Sequence, residues 1–148
     1  MEKEKIEQLL STRWEEVQAR LLPLMDTATL SWDIGDSPLF RATRCNASTT
    51  GDGGAHCHVR FCSRLLEALL HRVDGVTRHE LGHVIDFVVP YMTLDSWAQQ
   101  QGVWLPTTPE RRADAIAALV WGEPILYDTE TVQSMKYGVP LRPEHLGL

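Results

Sequence analysis

The chain has 148 residues, of which 43% are hydrophobic and 23% charged, a composition that excludes a disordered or fibrous protein and fits one folded domain. A formal charge of -6 argues against a nucleic-acid partner, because phosphate-backbone binding needs a basic stripe. No apolar run reaches membrane-spanning length, no secretory pattern opens the chain, and Cys45, Cys57 and Cys62 lack a disulfide-framework spacing, so the expected setting is the cytoplasm with no membrane partner.

From Glu2 to about Leu24, apolar residues at three- and four-residue steps (Ile6, Leu9, Leu10, Trp14, Val17, Leu21, Leu24) predict an amphipathic helix that ends near Pro23. Leu30, Trp32 and Ile34 alternate with polar residues as in a strand. Leu39 to Thr43 reads as a second extended piece, with Gly35-Asp36-Ser37-Pro38 as the turn of a hairpin. Asn46 to Gly54 is the most loop-like stretch, and His56 to Phe61 alternates again as a strand. Ser63 is placed to cap a helix to about Arg72, which Asp74-Gly75 breaks, and a further helix runs from Val76 to Val89 before Pro90. Helices are expected from Leu94 to Gln101, from the Thr108-Pro109 start to Gly122, and between Asp128 and Gly138.

The chemistry concentrates in His79-Glu80-Leu81-Gly82-His83. On a helix His79 and His83, four apart, project from one face and can grip one metal ion. Asp86 falls on the same side, and Leu81, Val84, Ile85 and Val88 face the core. Glu80 flanks the ligand face, where a carboxylate can take a proton from water rather than bind the metal. Gly82 leaves no side chain beside the ligands.

A catalytic zinc needs a third protein ligand and one open position. Glu110, in the first turn of the Thr108-capped helix, is the best-spaced donor, with Asp114 on the same face to orient a histidine; a first-turn acid placed for the helix dipole is the plain alternative. Asp86, Glu123 and His145 are lesser ligand candidates. Ala117 continues the Glu110 face with a small side chain, which lets the two helices approach.

His79-Glu80-Leu81-Gly82-His83 followed by Glu110-Arg111-Arg112-Ala113-Asp114-Ala115-Ile116-Ala117 resembles the ImmA/IrrE-type metallopeptidases, whose second motif runs Glu-x-x-Ala-Asn/Asp-x-Phe/Ile-Ala. The likeness covers about Val59 to Val120. It implies one zinc per chain held by His79, His83 and Glu110, with Glu80 as base and peptide-bond hydrolysis as the reaction. The first motif with Asp86 is also similar to lethal-factor-like zinc peptidases. Leu119-Val120-Trp121-Gly122 departs from the family ending Leu-Leu-Met-Pro, and repressor cleavage is not carried over.

The expected fold class is therefore α+β, a minimal zincin-like domain in which a small mixed or antiparallel sheet packs on several helices, including the motif helix. One domain spans 1–148, with the N-terminal helix over 1–25 and the catalytic core over 56–122. The resemblance also implies an edge strand lining the cleft, and His56, His58 and Arg60 are its expected residues, where a protein or peptide substrate would add as a further strand. Tyr127, Tyr91, Tyr137, His145 and His56 could each stabilise an oxyanion. A second metal on His56, Cys57, His58 and Cys62 is disfavoured because alternate strand residues face opposite ways. The competing function is a catalytically silent zinc-binding structural or interaction module in a larger assembly.

Overall fold

The computed structural model describes residues 2–43 and 46–124, so the expected helix between Asp128 and Gly138 lies outside the described residues, as do Tyr127, Tyr137 and His145. Within them helix α1 (Lys3–Arg20) buries Ile6, Leu10 and Val17, and the chain then turns, with Leu21 and Met25 still in the core. Strand β1 (Thr29–Gly35) follows as expected.

The segment expected as the second strand of a hairpin is instead a short helix, α2 (Pro38–Thr43). Its start has local causes. Proline suits a first helical turn, and the Ser37 hydroxyl accepts the Phe40 N–H at 3.2 Å, which satisfies a donor that the helix cannot. The loop-like stretch also proves to be ordered, because Ala47–Gly51 forms strand β2. It pairs antiparallel with β3 (His56–Cys62) through a turn in which Asp52 Oδ1 accepts the Gly54 N–H at 2.8 Å.

Strand order is β1-β3-β2, with β1 parallel to β3 and β2 antiparallel to it. The sheet is thus mixed and the domain α+β. β3 is the central strand, so His56, His58 and Arg60 do not line an edge: both sides of their backbone are already hydrogen-bonded to neighbours. Cys57, Val59 and Phe61 face the core, while the other side of β3 carries those three polar residues beside Thr29, Ser31 and Asp33 of β1 and Ser48 and Thr50 of β2.

After a single-turn 3-10 helix (Ser63–Glu67), helix α3 (Leu70–Val88) runs without a break through Asp74 and Gly75. A helical glycine costs about 1 kcal/mol relative to alanine, and tertiary contacts outweigh it here. Val73 and Val76 are buried, and the Asp74 carboxylate takes Arg13 of α1 in a two-point bond of 2.8 and 3.0 Å. α4 (Tyr91–Gln99) begins directly after Pro90, and α5 (Pro109–Trp121) begins after Thr108, whose hydroxyl makes no capping bond. α5 ends at Gly122, which takes the left-handed conformation (φ 74) that a side chain would disfavour. The main core joins α1, the inner face of the sheet, α3 and α5. No described helix is long and apolar enough to cross a membrane.

Candidate metal centre

α3 packs chiefly against α5, and one position shows how closely. A Cβ on Gly82 would collide with the Ala113 carbonyl of α5 and stand 2.9 Å from its carbon, contacts with backbone that no side-chain rotation relieves. Gly82 is therefore bare for the helix crossing rather than for space beside the ligands. Ala113, Ala115, Ala117 and Ala118 keep the facing helix small and fully buried.

This crossing brings the two motifs together. His79 and His83 project from successive turns of α3 toward Glu110 in the first turn of α5, and one donor atom from each lies within 4.8 Å of the others. The two Nε2 atoms face each other at 3.2 Å. Glu110 straddles them, with Oε2 2.7 Å from His79 Nε2 and Oε1 3.3 Å from His83 Nε2. Tetrahedral zinc with ligands near 2.0–2.1 Å sets its donors about 3.3 Å apart, so two of the three spacings suit that ion. The third is a hydrogen bond between His79 and Glu110. Two imidazoles and one carboxylate are also a donor set that zinc accepts in catalytic sites.

Asp114, one turn after Glu110, accepts His79 Nδ1–H at 2.6 Å. That bond fixes the ring and turns Nε2 toward His83 and Glu110. Burial disfavours the charged form of His79, but the Asp114, Glu110 and Glu80 carboxylates outweigh it and hold the imidazole well above its ordinary pKa. For Glu110 burial acts upward, yet hydrogen bonds from His79 and His83 and their charge bring the carboxyl well below the usual range. Both shifts favour a proton on His79, one that a metal at Nε2 would have to displace.

Glu80 is only 4% exposed, and its Oε2 lies 3.8 Å from His79 Nε2. Thr49 of β2 donates its hydroxyl to Glu80 Oε1 at 2.9 Å. The strand beside the motif helix is therefore β2, an edge of the sheet, and Thr49 is a site residue that the loop-like composition of its surroundings concealed. The β-branched pair Thr49-Thr50 was the available strand signal.

The other sequence-nominated residues lie apart. Asp86 accepts Arg112 Nε at 2.7 Å rather than orienting a ligand. Arg112, 2% exposed, also reaches Asp95 at 2.8 Å and lies over the Tyr91 ring at 3.9 Å, so one side chain ties α5 to α3 and α4. Asp86 and Tyr91 are thus engaged by Arg112, and Asp86 is not part of the donor cluster. Arg112 was visible in sequence only as a member of the second motif. His56 hydrogen-bonds Thr29 and Ser31 on the outer sheet face, and Glu123 pairs with Arg78 at 3.3 Å. Cys57 and Cys62 are both buried and free. Comparison of the chain with protein-family models, with curated proteins and with solved structures found no match.

Proposed function

We propose that the chain is a zinc-dependent peptidase, similar in plan to the ImmA/IrrE-type enzymes, which hydrolyses a protein or peptide substrate in the cytoplasm. The observation that carries the reading is the convergence of His79, His83 and Glu110, with Glu80 beside them and Asp114 behind His79. Zinc bound there would act as a Lewis acid on the scissile carbonyl and on water. Glu80 would accept the proton of the attacking water and return it to the leaving amine. Asp114 keeps the His79 ring turned, and Thr49 restrains the Glu80 carboxylate from the strand side. Among the described residues β2 is the last strand of the sheet, and its outer edge would offer main-chain groups to an extended substrate running past Thr49.

The depth of Glu80, 4% exposed, favours one alternative: a module in which the same residues hold zinc without turnover. A single pair of variants separates the two. Glu80→Gln should retain one zinc per chain and lose all hydrolysis of a peptide library that the wild type cleaves. Hydrolysis that persists in Glu80→Gln would rule out the mechanism, and a zinc-loaded wild type that cleaves nothing would leave the silent module standing.

A further inference from the structure

Phe87 follows His83 by one helical turn on the same side of α3, and its ring stacks with the imidazole at a centroid distance of 6.5 Å and an interplanar angle of 28°. Its other neighbour is the end of β2. A Cβ placed on Gly51 would stand 3.4 Å from Phe87 Cγ and 3.5 Å from its Cβ, so the ring lies directly against bare strand backbone. Thr49 thus meets Glu80, and Gly51, two residues on, meets Phe87. A chain extended along β2 would pass the donor cluster and then the ring. The ring is also 52% exposed, although it is held on two sides. An aromatic left half in water beside three polar donors has exposed surface with which to cover an apolar group.

We propose that Phe87 is a specificity-determining residue, the apolar wall of a side-chain subsite between His83 and Gly51 that selects peptides bearing a large aliphatic or aromatic residue next to the cleaved bond. The proposal rests on the peptidase reading. Glu80, Glu110 and Asp114 gather carboxylates at the donor cluster beside this subsite, which disfavours an acidic side chain there, and burial of a Leu or Phe group against Phe87 gives a favourable term that Ala or Asp cannot match. Gly51 matters to the same subsite, because a side chain larger than methyl there would displace the ring.

The test is calorimetric binding of short peptidyl hydroxamates to the zinc-loaded full chain, with zinc content measured on the same samples. The hydroxamate supplies the zinc-binding group, and the adjacent side chain is Leu, Phe, Ala, Asp or Lys. The wild type should bind the Leu and Phe compounds about tenfold more tightly than the Ala compound, and the Asp compound more weakly still. Phe87→Ala should level the first three to within about threefold, and Phe87→Glu should favour Lys. Because Phe87 is half exposed, both variants should keep the wild-type circular dichroism, and whichever folds decides the matter. A wild type that binds all five alike, or a folded Phe87→Ala that keeps the preference, overturns the subsite alone. A wild type that holds no zinc and binds no hydroxamate overturns the metal reading and this inference with it.

Discussion

His79 and His83 on α3, and His56 and His58 on β3, are both pairs of histidines backed by carboxylates, yet they spend their ring nitrogens differently. On the outer face of the sheet the bonds cross from β3 to β1. His56 reaches Thr29 and Ser31 at 2.8 and 3.1 Å, and His58 reaches Ser31 and Asp33 at 2.7 and 2.9 Å. Every ring nitrogen has a partner, two of them sharing Ser31 Oγ, and Asp33 is further engaged by Arg60, whose hydrogen bonds hold that carboxyl below its ordinary pKa. Between α3 and α5 the nitrogens converge instead, Nε2 to Nε2 at 3.2 Å with one carboxylate across both. Residue content does not distinguish a metal centre from a polar face. Convergence in a buried crossing is what makes the cluster between α3 and α5 the candidate.

The largest break in this comparison comes from ligand removal. His83→Ala or Glu110→Ala should abolish stoichiometric zinc after dialysis, measured by mass spectrometry, whereas His58→Ala should leave one zinc per chain. Zinc lost from His58→Ala would move the site to the sheet.

Next in size is Gly82→Ala. The added methyl meets backbone of α5, so the helices must separate, an overpacking cost of about 1–3 kcal/mol or more. Chemical denaturation should show that loss, and zinc affinity should fall in the same protein because Glu110 withdraws from the histidines. Full stability with weak zinc binding would mean that the crossing does not set the site.

The motif helix was legible because four-residue spacing and an apolar face coincide in one segment, and Glu110 because Thr108-Pro109 announces a helix start. What Gly82 is for was not legible: the atom it avoids belongs to Ala113, thirty-one positions away. The same reason hid the continuity of α3 through Asp74-Gly75, where Arg13 supplies the missing support. Alternation in His56 to Phe61 showed which residues share a face, but strand order depends on pairings with Thr29–Gly35 and Ala47–Gly51, so the central position of β3 could not be seen. At Ser37-Pro38 the failure was local: the cap and the proline were in view, and the turn reading of the same residues prevailed.

Asp114 separates holding from binding. Asp114→Asn keeps a hydrogen-bond acceptor but removes the charge behind His79, and zinc affinity should drop by about 10–100-fold without loss of stoichiometry at high metal. Proton competition gives this a pH signature. His79 is raised in the folded chain, so its contribution to metal-free stability is complete below its unfolded pKa near 6.5 and is lost as pH rises through the folded value. Glu110 is depressed, so its part of the same interaction is present above 4.5 and fades only as pH falls through its lower folded value. The gap in melting temperature between zinc-loaded and chelator-treated protein should therefore widen as pH rises from about 5.5 to about 8, and in Asp114→Asn, where His79 loses a carboxylate that raises it, the widening should level off at lower pH. A gap independent of pH would show that no proton is displaced from His79.

The smallest effect should come from the hydroxyl that organises the other pair. Ser31 Oγ meets His56 Nε2 and His58 Nδ1 at once, so Ser31→Ala removes two hydrogen bonds in one step. Were those nitrogens buried, each orphaned group would cost about 1–3 kcal/mol. They lie on a half-exposed face, where water can replace the lost partner, so the expected cost is about 0.5–1 kcal/mol, read as a shift in denaturant midpoint at constant slope. Zinc content should not change. A loss above about 2 kcal/mol would mean that this face is covered by protein and shielded from water, and its polar ladder would then belong to an interface.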